Sequence, residues 1–454
     1  MPDSPKREYF GTDGVRGPYG GPVVNADFFA RLGAAAARWL AARGVRSGSV
    51  LIGRDTRASG ADLVRALGAG LCDGGAVAIS AGIVPTPAVS RAVVLKGAAL
   101  GAVVTASHNP STDNGVKFFG PDGAKLTDAD EAAIEALMAP ADPGRVPPPP
   151  DGEEMPGESI LESYVQAALR ILPPDSLRGW TIALDTANGA TCNSSAAALY
   201  FLGARLSCLG DAPDGSNINR GVGSEHPEAL GALVVSSRSR LGIAHDGDGD
   251  RCVLCDETGS VLDGDEVLAI LATHALARGT LAARTLVVTV QSNLGVDVAV
   301  ASAGGRVIRT PVGDRYVAER MRREGASLGG ESSGHIVCFD LGPTGDGLAA
   351  ALKVIAVMLE TGRPLSDLRK VLRKYPQLAA SLTVREKKPV EGLPTLRAAI
   401  AALEGKLGES GRVLVRYSGT EPKLRFLVEG PTHAAVRSGI DSLVAAAKAD
   451  LEAK

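Results

Sequence analysis

Three stretches of this chain share one plan: an apolar strand, a polar turn, an Ala-rich helix, a glycine-containing stop, and a second apolar strand. The first runs from Ser49-Val-Leu-Ile-Gly to Leu71-Cys-Asp-Gly-Gly-Ala-Val-Ala-Ile. The second runs from Trp180-Thr-Ile-Ala-Leu-Asp to Tyr200-Phe-Leu-Gly-Ala-Arg-Leu, and the third from Thr285-Leu-Val-Val-Thr-Val to Ala301-Ser-Ala-Gly-Gly-Arg-Val-Ile. Strands that alternate with helices predict parallel pairs whose sheet faces are covered by helices. At 454 residues the chain is too long for one core, and three such units predict three similar α/β domains with mixed, mostly parallel sheets.

The run Pro143-Gly-Arg-Val-Pro-Pro-Pro-Pro150 is incompatible with regular structure and reads as a linker or exposed loop. It sets a first domain at 1–155, followed by 156–256 and 257–370. After about Lys370 the pattern changes. Gly411-Arg-Val-Leu-Val and Leu424-Arg-Phe-Leu-Val read as paired strands, and Thr432 to Leu451 as an amphipathic helix. Residues 371–454 are therefore expected to form a smaller α+β domain.

Bulk properties exclude several function classes. Charged residues make up 22% and the net charge is −3, which gives no attraction for nucleic acid or an anionic membrane. Aromatics are only 4%, so base-stacking surfaces are not expected, while abundant Gly and Ala suit tight turns and close helix packing. The N-terminus is charged and lacks the apolar stretch of a secretory signal, and no apolar run reaches membrane-spanning length uninterrupted. A cytoplasmic protein is expected. Of six cysteines only Cys252 and Cys255 are close, and they sit in a strand-like run that points them to opposite sides of a sheet. No second pair completes a zinc set, so they read as core thiols.

The chemistry concentrates in Asp246-Gly-Asp-Gly-Asp-Arg251. Three carboxylates within five residues repel one another unless a cation neutralises them. Glycines let the backbone curl so that the three converge, and hard oxygen donors without Cys or His suit Mg²⁺. The bland alternative is a polar turn after Leu241-Gly-Ile-Ala244. A calcium-binding EF-hand is rejected: Asp246, Asp248, Asp250 and Glu257 fit its spacing, but Arg251 stands where its sharp turn needs glycine.

Thr105-Ala-Ser-His-Asn-Pro110 follows the apolar run from Leu100 and so falls at a strand's C-terminal end, where open α/β sheets bind ligands. Ser107 beside His108 offers a hydroxyl nucleophile; otherwise the segment is a capped turn. A serine carrying phosphate needs a balancing cation, which the aspartate loop supplies, so the two motifs reinforce each other. Lys117 is either a substrate-orienting or proton-moving group or a solvated lysine. Gly330-Glu-Ser-Ser-Gly-His335 presents groups suited to sugar hydroxyls or amines, or is a plain turn. Arg416-Tyr-Ser-Gly-Thr-Glu-Pro-Lys-Leu-Arg425 carries two arginines, two hydroxyls and backbone amides, the set that forks around a phosphate dianion. Its bland alternative is a hairpin with incidental charge. Arg16, in Gly11-Thr-Asp-Gly-Val-Arg-Gly17, is a further candidate phosphate contact. No Walker A or strict dinucleotide-binding glycine pattern occurs, so no nucleotide cofactor is expected.

Taken in order along the chain, F-G-T-D-G-V-R-G, T-A-S-H-N-P, D-G-D-G-D-R, G-E-S-S-G-H and R-Y-S-G-T-E-P resemble the α-D-phosphohexomutase superfamily. Gly313-Asp-Arg-Tyr-Val317, Thr344-Gly-Asp-Gly347, Gln291-Ser-Asn-Leu-Gly295 and Pro213-Asp-Gly-Ser-Asn-Ile-Asn219 resemble its bacterial branch acting on glucosamine phosphates. One departure is Gly223-Ser-Glu-His-Pro-Glu228, where that branch more often shows Cys-Gly-Ser-Thr-His-Pro; as a structural loop it predicts no catalytic consequence. The resemblance implies four domains around one cleft. It also implies interconversion of glucosamine 6-phosphate and glucosamine 1-phosphate on the route to UDP-N-acetylglucosamine. Ser107 would be the phosphoserine and, with Asp246, Asp248 and Asp250, would hold one Mg²⁺ per chain. Glu331 and Ser333 would bind sugar hydroxyls, and Arg416, Ser418, Gly419, Thr420 and Arg425 the non-reacting phosphate. His108, Lys117 and His335 are unranked proton-transfer candidates, with Arg16 and Arg251 beside them. Glucosamine 1,6-bisphosphate is the implied intermediate, and its turning predicts a C-terminal domain that closes and reopens. A small phosphosugar is the only partner implied, with monomer and homodimer both open. Rival readings are a phosphoglucomutase/phosphomannomutase, a metal-dependent sugar phosphatase and a non-catalytic phosphosugar-binding protein.

Overall fold

The structure is a computed structural model describing residues 7–140, 159–418 and 422–451. The expected linker at 143–150 and the division near 155 lie outside the described residues. The first unit runs β1 (Val15–Pro18), α1 (Ala26–Ala42), β2 (Ser49–Arg54), α2 (Gly60–Asp73), β3 (Val77–Ile83), α3 (Thr86–Lys96), β4 (Leu100–Val104), β5 (Asp113–Phe119) and α4 (Asp128–Ala136). Its sheet has the order β1-β5-β4-β2-β3, with β2 parallel to β3 and β4, and β5 antiparallel to β4 and β1. Residues alternate across this sheet as a strand requires. Val50 and Ile52 join the core under α1 and α2, whereas Leu51 joins the core under α3.

The second unit runs α5 (Leu161–Leu169), β6 (Thr181–Asp185), α6 (Ser194–Phe201), β7 (Arg205–Leu209), α7 (Glu228–Ser237), β8 (Leu241–His245), β9 (Cys252–Asp256) and β10 (Val261–Leu262). Its order is β10-β9-β8-β6-β7, with β6 parallel to β7 and β8, and β9 antiparallel to β8 and β10. Through β10 this sheet extends past residue 256, where the sequence placed the division. Parallel and antiparallel pairings are equal in number in these two sheets.

The third unit runs α8 (Gly264–Ala277), β11 (Thr285–Thr289), α9 (Leu294–Ser302), β12 (Arg306–Thr310), α10 (Asp314–Glu324), β13 (Leu328–Gly330), β14 (Ile336–Cys338), α11 (Gly347–Thr361) and α12 (Leu365–Leu368). Here β11 is parallel to β12 and β13, and only the β13–β14 pair is antiparallel. The last unit is α+β: β15 (Gln377–Thr383), α13 (Pro394–Leu407), β16 (Arg412–Tyr417), β17 (Lys423–Glu429) and α14 (His433–Leu451), with β17 central and antiparallel to both neighbours.

Local signals explain where the helices begin. The Asn25 side chain accepts from Phe28 N at the start of α1, and reciprocal capping boxes start α4 (Thr127 with Asp130) and α8 (Asp263 with Glu266). One apolar core runs without a break through the first three units, including Leu51, Leu184, Leu254, Leu286 and Ile355. The fourth has its own core, around Leu396, Phe426 and Leu443. Cys252 and Cys255 are buried on opposite faces of β9, in separate apolar clusters, and burial pushes both thiols up. No helix among the described residues is long and apolar enough to cross a membrane.

Candidate active site

The aspartate loop joins antiparallel β8 to β9, so strands flank it and not the helix pair of an EF-hand. Asp246, Asp248 and Asp250 are all buried, and one carboxylate oxygen from each lies within 4.8 Å of the other two. The glycines between them serve different ends. Gly249 takes φ +72°, which a side chain would strain, whereas a Cβ on Gly247 would stand 2.6 Å from the Ser107 carbonyl oxygen. Burial, then the charges of Asp248 and Asp250, push Asp246 well above the usual carboxylate range. Asp248 Oδ1 and Asp250 Oδ1 are buried without a hydrogen-bond partner. Acceptors in that condition, converging as hard oxygens, fit a divalent cation.

Ser107 lies three residues beyond β4, fully buried, with φ +52°. Its Oγ donates to Asp246 Oδ2 at 2.5 Å and lies 3.3 Å from His108 Nδ1. Burial, together with Arg251 and Arg16, pushes His108 down to about 4, so the ring is neutral at pH 7. Lys117, on β5 opposite Val103, is buried and not solvated. Its Nζ lies 2.7 Å from both Asp248 Oδ2 and Asp250 Oδ2. Burial opposes its charge, but Asp13, Asp248 and Asp250 outweigh burial and hold its pKa well above the usual lysine value.

Charges alternate around a closed ring behind these groups. Lys117 is 3.9 Å from Asp13, which also pairs with Lys125; Lys125 is 2.6 Å from Asp314; and His335 Nε2 is 3.0 Å from Asp314. His335 Nδ1 returns to Asp250 at 3.6 Å. Burial disfavours the imidazolium, yet Asp314 and Asp250 raise His335 to about 9. Arg16 pairs with Asp13 at the edge of the same ring. Arg251 bridges His335 through the backbone and reaches Glu225 at 3.4 Å, so the divergent loop touches a site arginine.

Glu331 and Ser333 occupy the turn between β13 and β14. Glu331 Oε1 accepts from Gly313 N at 3.0 Å and is raised by burial, while Ser333 is exposed at the tip. The three sheets thus bring Arg16, Ser107, His108, Lys117, the three aspartates, Arg251, Glu331 and His335 to one place. The phosphate-loop candidates stand on the fourth sheet. Arg416 and Arg425 face each other directly across β16 and β17. Burial and then the neighbouring Arg425 charge lower Arg416. Together with Ser381, Leu414 and Gln291 they line a cavity of about 380 Å³. Two like charges facing across a strand pair repel, and a phosphate between them would relieve that repulsion. Ser418 is buried and its N–H donates to the Lys423 carbonyl at 2.8 Å. Gly419 and Thr420 lie outside the described residues.

Family models for phosphoglucomutase/phosphomannomutase match three parts of the chain: α/β/α domain I at 7–144, α/β/α domain III at 263–375 and the C-terminal domain at 380–446. The phosphoglucosamine mutase of Anaeromyxobacter dehalogenans is 44% identical over 97% of this chain and 98% of its own. That of Halorhodospira halophila is 45% identical over 94% of this chain and 93% of its own. The chain belongs to the phosphoglucomutase/phosphomannomutase family. A solved structure of a phosphoglucomutase/phosphomannomutase family protein from Burkholderia thailandensis superposes with a TM-score of 0.79 at 25% identity, covering 97% of each chain. Family membership makes the protein a phosphohexomutase, an isomerase, and implies a metal cofactor, which the acidic triad could hold.

Several residues around this phosphohexomutase site escaped the sequence reading. Thr86 Oγ1 donates to Asp248 Oδ2 at 2.5 Å, and Asn219 Nδ2 donates to the Ser107 carbonyl at 2.8 Å. Asp13, Lys125 and Asp314 complete the charge ring, and Asp55 with Arg57 lies beneath Ser107. Asp13, Asp314 and Asn219 sit inside the sequence motifs themselves, so adjacency was their only signal. Thr86, Lys125, Asp55 and Arg57 carried none, because the site groups they hold are distant in sequence.

Proposed function

We propose that this enzyme interconverts glucosamine 6-phosphate and glucosamine 1-phosphate, with Ser107 as phosphoryl carrier and glucosamine 1,6-bisphosphate as intermediate. The observation that carries the reading is the Ser107 hydroxyl, held at 2.5 Å from one of three converging buried carboxylates. The relatives at 44–45% identity, phosphoglucosamine mutases by name, supply the choice of sugar. On this reading the chain divides near 155, 262 and 370.

The phosphoryl group passes from Ser107 Oγ to a free sugar hydroxyl, the bisphosphate turns, and its other phosphoryl group returns to Oγ. Mg²⁺ held by Asp246, Asp248, Asp250 and the phosphoryl group on Ser107 would supply positive charge opposite the group in transfer. His108, neutral and 3.3 Å from Oγ, can exchange a proton with that oxygen. Lys117 and His335, whose protons neighbouring carboxylates hold in place, keep positive charge at the site. Arg16 and Arg251 face the phosphoryl group, Glu331 and Ser333 the sugar hydroxyls. Arg416, Arg425, Ser418, Gly419 and Thr420 grip the phosphate not in transfer. Catalysis is then positioning and charge balance. A phosphatase has no use for a second phosphate grip on another sheet, which favours the mutase.

Intact mass spectrometry of the purified protein should find one added phosphate, and peptide mapping should place it on Ser107. Ser107→Ala should lose that mass and all mutase turnover while its circular dichroism stays unchanged. Near-normal turnover in that variant would end the covalent reading, and a sugar panel favouring glucose or mannose phosphates would end the choice of sugar.

A further inference from the structure

Arg57 is a large, fully buried side chain, and its guanidinium is saturated. Nε donates to Asp55 Oδ2 at 2.9 Å, one terminal nitrogen to the carbonyls of Pro110 and Asp113, and the other to those of Ser107 (3.0 Å) and Asn109 (2.8 Å). Arginine has five N–H donors, and all five are used. Asp55 also works on the other side of Ser107. Its Oδ2 accepts from Thr105 Oγ1 at 2.7 Å, and Thr105 Oγ1 accepts from Ser107 N at 2.8 Å. The second unit adds Asn219, whose Nδ2 donates to the Ser107 and Asn109 carbonyls at 2.8 and 3.0 Å. Both peptide groups of Ser107 are therefore held from beneath.

This scaffold holds an unfavourable conformation. Ser107 is a non-glycine residue at φ +52°, a region that costs free energy and persists only where the surroundings over-determine it. A Ser107 released to ordinary φ would turn its Oγ away from Asp246. The left-handed twist is thus what aims the hydroxyl at the carboxylate cluster, and the Asp55–Arg57 pair maintains it.

We propose that Asp55, Arg57, Thr105 and Asn219 are positioning residues for phosphoryl transfer, fixing Ser107 in its strained conformer so that its oxygen stays in line through both half-reactions. None of the four side chains need touch the sugar. The inference rests on Ser107 being the phosphoryl carrier. It predicts a loss in the chemical step with substrate affinity retained, because the sugar and distal phosphate are held elsewhere.

The test compares wild type with Arg57→Lys, Thr105→Val and Asn219→Ala. Lysine keeps a positive charge for Asp55 but brings three donors in place of five. Thr105→Val keeps shape and removes the hydroxyl that joins Asp55 to Ser107 N. For Arg57→Lys kcat should fall on the order of 10²-fold with KM little changed, the size expected from misplacing a reacting group. Thr105→Val and Asn219→Ala should fall about 10-fold in the same parameter. Circular dichroism and a thermal midpoint above the assay temperature establish folding, and Thr105→Val decides the matter if Arg57→Lys does not fold. A merely structural role would lower the midpoint while leaving kcat per folded molecule intact, and that result overturns the inference with the mutase reading untouched. A wild type whose Ser107 carries no phosphate overturns both.

Discussion

Asp248 carries opposing demands on its two oxygens. Oδ2 accepts from Thr86 and pairs with Lys117, while Oδ1 is buried with no partner. Burial opposes ionisation, but Lys117 and the Thr86 hydrogen bond hold its pKa below the ordinary carboxylate range. An amide at 248 would remove a charge from the cation site and turn N–H groups toward donors. Asp248→Asn should therefore cut turnover by at least about 100-fold, the scale on which even the outer partners of metal ligands act. Excess Mg²⁺ should restore part of the loss. Titrating activity against Mg²⁺ checks this: identical curves for variant and wild type would reduce the loop to a turn. The three aspartates and Ser107 were legible because like charges so close in sequence admit few explanations. Arg57 was not, since its chemistry is made by carbonyls some fifty positions away, which no local pattern encodes.

Helices α1 and α2 of the first unit show how the glycine content is used. A Cβ on Gly70 would lie 1.9 Å from the Ala30 carbonyl oxygen, and one on Gly33 would lie 2.3 Å from the Leu67 carbonyl oxygen. Two effects compete in Gly70→Ala. Alanine gains about 1 kcal/mol of helix propensity, but the clash is with backbone, which cannot rotate aside, and overpacking costs about 1–3 kcal/mol. The clash should win. A lower urea midpoint with unchanged slope is expected, and a stabilised variant would show that the helices separate at little cost. That small residues permit close packing was readable from composition. Which carbonyl each glycine faces depends on the crossing of two helices, which was not.

At the scale of the whole molecule the fourth unit differs from the rest. The first three share an apolar core, whereas the fourth meets the start of α9 through polar contacts. Leu294 N donates to Glu429 at 3.0 Å, Arg412 to the Ser292 carbonyl at 2.9 Å, and Asn293 Nδ2 to the Tyr375 carbonyl at 3.0 Å. Polar contacts of this kind exchange with water at little net cost, which suits the opening and closing that the proposed turning of the bisphosphate calls for. Arg425 belongs to that unit, and on the proposed reading it holds the distal phosphate in both half-reactions. Losing one charge-assisted contact costs about 1.5–3 kcal/mol, or roughly 10- to 150-fold. Arg425→Ala should weaken apparent affinity for the monophosphate by that factor and leak bisphosphate before the second transfer. Lysine should rescue in part, bringing charge without the planar fork. Isotopically labelled sugar makes the leak measurable. A variant that leaks none and liberates inorganic phosphate as wild type does would point to hydrolysis.

Sequence alone determined the three strand–helix–strand units, the paired C-terminal strands and the chemistry of the aspartate loop. Each is written in residues close together along the chain, where periodicity and charge crowding act over a few positions. Tertiary structure alone decided that Lys117 is buried between Asp248 and Asp250, that Lys125 and Asp314 close a charge ring through His335, and that Asp55 and Arg57 hold Ser107 twisted. It also joined part of each of the first three units in one shared core and carried the second sheet through β10. Those outcomes depend on which sheet ends meet. Burial then turns that meeting into electrostatics, because a charge withdrawn from water needs a partner, and the fold chooses the partner.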